Sequence, residues 1–164
     1  MTLARIGSNS LILYKEKVDL HLIADIVTQN MKESADKKHI DLITRVDGEP
    51  MIYADEALIT SAISNLVSNS IKYGKESEYV LISVSEIGGN VEIAVKDNGK
   101  GIAGEQLEKI WMRFYRVDNV RNNEYEICGL GLALVKSIAE MHGGRTDVKS
   151  VLGEGSEFKI TFEK

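Results

Sequence analysis

The chain has 164 residues, which is the usual size of one domain with a single hydrophobic core. Hydrophobic residues make up 43% and charged residues 27%, so intrinsic disorder and fibrous repeats are excluded for most of the chain. The net charge is −5 and no long basic block is present, which excludes non-specific nucleic-acid binding as the main role. Cys128 is the only cysteine, so an intramolecular disulfide is impossible. No apolar run approaches the ~20 residues of a membrane-spanning helix.

The N-terminal third predicts one helix followed by two short strands. Asp19 is a candidate N-cap, and the apolar residues after it recur at spacings of three and four, as in an amphipathic helix that runs to about Lys37. These apolar residues are Leu22, Ile23, Ile26, Val27 and Met31. Residues 40–46 and Met51–Ala54 predict two strands around a turn that contains Pro50.

The remaining elements predict an α+β domain. Asp55 caps a long helix that reaches about Tyr73, and two alternating segments around Gly88, Gly89 and Asn90 predict a β-hairpin. Residues 105–111 predict one short helix, residues 130–142 another helix, and residues 145–162 a last pair of strands. This order predicts a two-layer α/β sandwich, in which a mixed, mostly antiparallel five-stranded sheet carries three main helices on one face.

Polar residues form a stripe on the helix that follows Asp55. On a helical wheel Asn65, Asn69, Lys72 and Tyr73 fall together, on a different side from the apolar residues. The apolar side consists of Ile59, Ile63, Leu66 and Val67. Amide oxygens suit a hard cation and an ammonium group suits phosphate, although a solvated polar face has the same pattern.

Asp97 ends a predicted strand and begins the segment Asp-Asn-Gly-Lys-Gly. Such a segment is often only a turn, but its glycines would also let a ligand approach the backbone. A buried carboxylate only accepts hydrogen bonds, so it would favour a base with an amino group, such as adenine, over guanine.

Glycines also open the helix at residues 130–142. Gly129-Leu130-Gly131-Leu132 would leave the first amides of this helix available to a polyphosphate, where the positive end of the helix dipole lies. A flexible turn is the alternative interpretation. The segment is neither a dinucleotide-binding fingerprint nor a Walker A loop.

Four motifs occur in a characteristic order along the chain. They are NLVSNSIKYG (65–74), DNGKG (97–101), WMRFYRVD (111–118) and GLGLALVKSIAEMHGG (129–144). In order and spacing they resemble the N, G1, F and G2 boxes of the ATP-binding domain of sensor histidine kinases. That family belongs to the superfamily of DNA gyrase B and the Hsp90 chaperones, with the Bergerat ATP-binding fold. The resemblance covers roughly residues 18–163, nearly the whole chain, and implies ATP and Mg²⁺ as ligands.

The resemblance implies a role for each residue of the helical stripe. Asn69 matches the magnesium-binding asparagine, and Asn65 lies one turn earlier on the same wall. Lys72 matches a phosphate contact, and Tyr73 matches a ring that lies along the adenine. Together with Arg116, Asn69 and Lys72 are the expected catalytic residues.

The other three boxes imply the rest of the nucleotide site. Asp97 matches the carboxylate that recognises adenine, while Tyr115 and Arg116 match a pair whose arginine reaches the terminal phosphate. The residues expected to shape the pocket around the base are Gly99, Gly101 and Ile102. The residues expected to support the phosphates are Gly129, Leu130, Gly131 and Leu132. Residues 117–128 would form a mobile lid.

Two positions distinguish this chain within the superfamily. Ile127 and Cys128 stand where the G2 box usually has glycine and a hydroxyl residue, which puts the flexibility of the lid in doubt. Gyrase and Hsp90 relatives have a glutamate at position 65 that orients the attacking water. Because Asn65 cannot act as a base, the sequence favours phosphoryl transfer to a protein over fast hydrolysis.

A phosphoacceptor histidine is expected on a separate domain. His21, His39 and His142 all lack the acidic residue and the nearby proline that usually follow such a histidine, so we expect them to be structural. The C-terminal position of His142 on its helix would favour a cation. Residues 1–17 resemble the tail of a dimerisation helix and its linker, and residues 18–164 the catalytic domain.

The resemblance also implies partners and a location. The expected partners are the dimerisation domain of the same protein and, indirectly, a response regulator, with the isolated chain a monomer. The expected location is the cytoplasmic side of an inner- or plasma-membrane sensor. A serine kinase of the anti-sigma-factor type, or a non-catalytic ATP-binding module, remain alternatives on the same fold.

Overall fold

A five-stranded sheet with α-helices on one face organises the chain. The computed structural model describes residues 12–117 and 130–164. The strands are β1 (Glu16–Asp19), β2 (Asp41–Asp47), β3 (Met51–Ala54), β4 (Tyr79–Ile87), β5 (Asn90–Asp97), β6 (Arg145–Val151) and β7 (Gly155–Glu163). The α-helices are α1 (Leu20–Asp36), α2 (Glu56–Tyr73) and α3 (Gly131–Met141). Within the described ranges, no helix combines the length and the apolar character that a bilayer crossing demands.

The order of strands in the main sheet is β2-β4-β5-β7-β6. β2 pairs with β4 in parallel, and the other three pairs are antiparallel. This confirms the predicted mixed, mostly antiparallel sheet and the α+β class. The two strands predicted around Pro50 both form, but they belong to different sheets, because β3 pairs with the unpredicted strand β1.

The two faces of the sheet differ as the alternation of the strands requires. Val80, Ile82 and Val84 of β4 are buried against the helices, together with their neighbours on β5 and β7. On the opposite face, Lys159 Nζ donates to Glu92 Oε1 at 2.8 Å across the β5–β7 pair. That hydrogen bond raises the pKa of Lys159 and keeps this face charged.

Both predicted N-caps are confirmed. Asp19 Oδ1 accepts a hydrogen bond from the His21 amide at 2.9 Å, and Asp55 Oδ1 accepts one from Leu58 at 3.2 Å. In α1, however, only part of the apolar pattern reaches the core. Ile23 and Val27 are fully buried, whereas Leu22 is 57% exposed.

The single helix predicted over residues 105–111 is wrong. This segment forms two short 3₁₀ turns, Gly104–Gln106 and Lys109–Trp111. Tertiary packing accounts for the difference, since Ile110 is buried and the Trp111 ring packs edge-on against Phe158 with centroids 6.0 Å apart. A regular helix over so few residues adds little stability of its own that could compete with those contacts.

His142, at the C-terminus of α3, connects two helices. Its Nδ1 lies 2.7 Å from the Ile138 carbonyl oxygen, which can only accept, so Nδ1 carries the proton. Nε2 is then free to accept a hydrogen bond from the Asp55 amide at 3.1 Å, at the start of α2. The Phe162 ring packs edge-on against the imidazole.

This environment favours the neutral imidazole. Burial lowers the pKa of His142, and the positive charge of Lys15 acts in the same direction, while the Ile138 carbonyl and the Asp55 carboxylate partly oppose it. His142 makes structural contacts, as expected, and its burial disfavours the cation that its position at the helix end would favour.

We predict that His142 makes the stability of the domain pH-dependent. Because the pKa is lowered on folding, the stabilisation is complete above the ordinary pKa of about 6.5 and is lost as the pH falls through the folded value. The melting temperature should therefore fall more steeply between pH 7.5 and pH 5.5 in the wild type than in His142→Gln. Equal slopes in the wild type and His142→Gln would contradict this role.

Candidate functional site

The predicted site residues of α2 lie against two other elements, the start of α3 and the loop after β5. α2 presents Asn65 and Asn69 towards the beginning of α3. A Cβ atom added to Gly131, the first residue of α3, would lie 3.0 Å from Asn65 Oδ1 and 4.0 Å from Asn69 Nδ2. A side chain at position 131 would thus crowd the amides, so the glycine allows the two motifs to meet.

The orientation of Asn65 follows from its hydrogen bond within α2. Nδ2 donates to the Ser61 carbonyl at 2.8 Å, one turn earlier. This places the oxygen of the amide next to Gly131, where it can accept a hydrogen bond or ligate a hard cation.

The N-terminus of α3 offers backbone amides to an anion. Leu130 occupies the N-cap position without a side-chain capping hydrogen bond, and the first turn contains no acidic residue. The amides that a helix leaves unpaired at its start, together with the helix dipole, favour a negatively charged group there. Leu132 anchors this turn by packing against the core.

Asp97 lies at the end of β5 and is almost completely buried, at 5% exposure. Its Oδ1 accepts a hydrogen bond from the Gly99 amide at 2.9 Å, which closes a tight turn. A buried carboxylate needs hydrogen-bond donors, and the amino group of a ligand could serve as such a donor to Asp97.

The loop after Asp97 packs directly on backbone atoms from two sides. A Cβ atom on Gly99 would lie 2.4 Å from the Tyr73 carbonyl oxygen, and one on Gly101 would lie 2.0 Å from the Val151 carbonyl oxygen. The Lys100 amide donates to Tyr73 O at 3.4 Å. The glycines of this motif therefore allow the end of α2, the loop and the end of β6 to come together.

Tyr73, at the end of α2, has two cations beside its ring. Lys72 Nζ lies 5.5 Å and Lys100 Nζ 4.9 Å from the ring centroid, within the range of cation–π attraction. Lys100 was not predicted as a site residue, although its place inside the Asp-Asn-Gly-Lys-Gly motif was a usable signal. The ring is 42% exposed, so it could pack against a planar ligand.

Most of the predicted residues take part in the contacts described above, whereas Ile102, Tyr115 and Arg116 have other surroundings. Ile102 and Tyr115 pack against the core, and the Ile102 amide donates to Ser150 Oγ at 2.8 Å. Arg116 is exposed and has no hydrogen bond or ion pair with another described site residue. Gly129 and the predicted lid after Val117, with Ile127 and Cys128, lie outside the described residues.

The fit to a magnesium–nucleotide complex follows from these donors and acceptors. The amide oxygens of α2 suit Mg²⁺, the amides of α3 suit phosphate, and the buried carboxylate suits an amino group. Among residues 12–117 and 130–164, no group of three or more His, Cys, Asp and Glu side chains could hold a metal ion.

Comparison with known proteins identifies the family. The profile described as histidine kinase-, DNA gyrase B- and HSP90-like ATPase matches residues 54–164. The sensor-like histidine kinase SenX3 of Mycolicibacterium smegmatis is 39% identical over 146 residues, which are 89% of this chain and 38% of that protein. Sensor histidine kinase YclK of Bacillus subtilis is 32% identical over 95% of this chain and 33% of its own length. This chain thus spans about a third of the length of the curated relatives that it matches.

Solved structures agree with this assignment. Full-length ShkA in complex with AMPPNP superposes with a TM-score of 0.86 at 30% identity, over 97% of this chain and 33% of ShkA. The nucleotide-free catalytic domain of histidine kinase ThkA has a TM-score of 0.79 at 26% identity, over 92% of this chain and 95% of that domain. The chain belongs to the histidine kinase-, DNA gyrase B- and HSP90-like ATPase family. The relatives and solved structures named above are histidine kinases or parts of them.

Gly99 should be intolerant of any side chain. We predict that Gly99→Ala destabilises the domain by about 1–3 kcal/mol, since the added methyl group would overlap backbone atoms of α2. ATP binding should weaken as well, because the turn that holds Asp97 would shift. Chemical denaturation and nucleotide titration measure the two effects.

Gly104→Ala is the matched control. Gly104 lies five residues further along, without a positive φ and with nothing within 4 Å of an added Cβ. The unfolding free energy of the Gly104→Ala variant should differ from that of the wild type by no more than about 0.5 kcal/mol. Equal losses of unfolding free energy in the two variants would show that the close packing at Gly99 does not set the cost of adding a side chain there.

Proposed function

We propose that this chain binds Mg-ATP and transfers the γ-phosphoryl group to a histidine on the dimerisation domain of the same protein. The observation that carries this proposal is the approach of Gly131 to Asn65 and Asn69, because it brings the unpaired amides at the start of α3 next to the side-chain amides of α2, with the oxygen of Asn65 nearest. A response regulator would receive the phosphoryl group afterwards. The domain would act on the cytoplasmic side of a membrane-anchored sensor, and alone it would be a monomer.

The residues around the phosphates have distinct proposed roles. Asn69 holds Mg²⁺ through its amide oxygen, with Asn65 beside it, and the ion would neutralise phosphate charge. Lys72 adds a positive charge at the end of the same helix, and Arg116 would approach the terminal phosphate. Gly129 and Leu130 support the phosphates together with the first amides of α3.

The base site is proposed to lie between α2 and the loop after β5. Asp97 would accept a hydrogen bond from the adenine amino group, and Tyr73 would lie along the ring. Gly99, Gly101 and Ile102 shape the pocket from the loop side. These roles are supported by the burial of Asp97 and by the close packing of the loop.

The catalytic contribution is positioning and charge neutralisation. Asn65 is an amide whose nitrogen already donates within α2, so it has no basic group with which to activate water. A slow hydrolysis of ATP therefore accompanies transfer to a protein acceptor. Slow hydrolysis distinguishes the proposed kinase from an enzyme whose main reaction is ATP hydrolysis.

Asp97→Asn should weaken ATP binding at least tenfold. The asparagine oxygen can still accept the Gly99 amide, but its nitrogen would face the adenine amino group as a second donor, at a cost of about 1.5–3 kcal/mol. The preference for ATP over GTP should shrink in parallel. Asp147→Asn, at an exposed position of β6, should leave both affinities unchanged. Equal affinity of the wild type for ATP and GTP would refute Asp97 as the residue that selects the base.

Labelling with γ-³²P-ATP tests the transfer itself. The chain alone should form no acid-labile, base-stable phosphohistidine, whereas a supplied dimerisation domain of the same protein should become labelled. Label on serine of a partner would favour the anti-sigma-type kinase, and absence of transfer with intact binding would favour a non-catalytic module. Label on His21, His39 or His142 would contradict their structural assignment.

Asn69→Asp should reduce transfer more than nucleotide binding, because it changes the metal ligand and leaves the base site intact. We expect a loss of at least tenfold in the transfer rate, with ADP affinity changed less. Asn30→Asp, an exposed helical asparagine on α1, is the matched control and should transfer normally. Undiminished transfer by Asn69→Asp would show that the metal ligand is elsewhere.

A further inference from the structure

A row of polar residues crosses the helix-facing side of the sheet next to Asp97. Asp97 of β5 is in register with Ser156 of β7, and Ser156 is in register with Ser150 of β6. The next row on the same face is apolar and consists of Val95, Phe158 and Val148. The polar row is thus confined to the end of the sheet where the loop after β5 begins.

The Ser150 hydroxyl uses its whole hydrogen-bonding capacity. It lies 2.7 Å from the Gly155 carbonyl oxygen, 2.8 Å from the Ile102 amide nitrogen and 2.8 Å from Ser156 Oγ. The carbonyl can only accept and the amide can only donate, so the single proton of Ser150 goes to Gly155. Ser156, which is 8% exposed, must then donate to Ser150.

These bonds tie the loop that carries Ile102 to the turn between β6 and β7. Two further contacts follow the same path, since the Gly153 amide donates to Lys100 O at 2.7 Å and Gly101 touches Val151. Ser150 adds a side-chain anchor from the sheet to the amide of Ile102. Its loss would leave a partly buried amide, a carbonyl and a hydroxyl without this partner.

We propose that Ser150 is a positioning residue of the nucleotide site, which holds Gly101 and Ile102 in place around the base. This rests on the proposed adenine site at Asp97. Ser150 acts through the loop and does not contact the phosphates, so its removal affects binding of the base and leaves binding of the phosphate chain intact.

Three variants of the wild-type chain separate positioning from general stability. Ser150→Ala removes the hydroxyl, Ser150→Thr retains it, and Thr146→Val removes a hydroxyl elsewhere on the same face of β6. Each is titrated with Mg-ATP and with magnesium tripolyphosphate, which lacks a base. Hydrogen exchange of the Ile102 amide reports on the loop, and that of Leu58 at the start of α2 serves as the reference.

Ser150→Ala should bind ATP about tenfold more weakly, bind tripolyphosphate as the wild type does, and exchange the Ile102 amide at least tenfold faster at an unchanged Leu58 rate. Ser150→Thr should restore all three values, and Thr146→Val should leave them unchanged. Should Ser150→Ala fail to fold, Ser150→Cys, with its weaker hydrogen bonds, should show the same pattern at smaller amplitude.

Unchanged ATP affinity in Ser150→Ala would overturn the proposal, and so would equal losses for ATP and tripolyphosphate. Unchanged exchange at Ile102 would also overturn it, because the loop would then be held without the hydroxyl. Failure of the folded wild type to bind ATP would instead refute the proposed function. In that event Ile102 exchange alone still decides whether Ser150 holds the loop.

Discussion

The close approach of the loop after β5 to the end of α2 is the contact on which the site depends. Gly99 lies against the Tyr73 carbonyl and the Gly74 Cα, at a distance that excludes a side chain. This contact brings Asp97, from the sheet, and Tyr73, from a helix, to the same glycine, although 24 positions separate them in the chain. Backbone-to-backbone packing of this kind leaves little freedom, so the turn at Asp97 is held from both sides.

A second approach, at Gly131, completes the site from the opposite wall. The start of α3 lies against Asn65 and Asn69, so the amides of one helix face the side-chain amides of another. The same two helices are also joined at their other ends, where the Asp55 amide donates to His142 Nε2. α2 and α3 are therefore connected at two distant points, and a change of protonation at His142 would act on the same helix pair that brings Gly131 to Asn65 and Asn69.

Asp55 extends this connection towards the N-terminal part of the chain. Its carboxylate caps α2 through the Leu58 amide and also accepts a hydrogen bond from the Tyr14 amide at 3.1 Å. The segment around Tyr14 precedes β1, which pairs with β3 directly before Asp55. The segment that leads into the domain is thus joined to the first turn of the helix that carries Asn65 and Asn69.

The sequence by itself determined most of the helices and strands and indicated the candidate site residues, because both depend on local patterns. Asp19 and Asp55 cap helices through amides two or three residues away, and the stripe of Asn65, Asn69, Lys72 and Tyr73 follows from helical periodicity alone. The four motifs likewise indicated the family that the comparisons show.

Only the tertiary structure decided which distant groups meet, since such contacts leave no periodic signal in the chain. The pairing of β3 with β1, the two 3₁₀ turns around Ile110, and the neutral His142 all depend on packing between remote residues. Ser150 lies 48 positions from the Ile102 amide that it binds, and sequence alternation could place it on the inner face but could not name its partner. The register of three antiparallel strands aligned Ser150 with Ser156 and Asp97 in one row, and the loop that follows Asp97 then brought the Ile102 amide to Ser150.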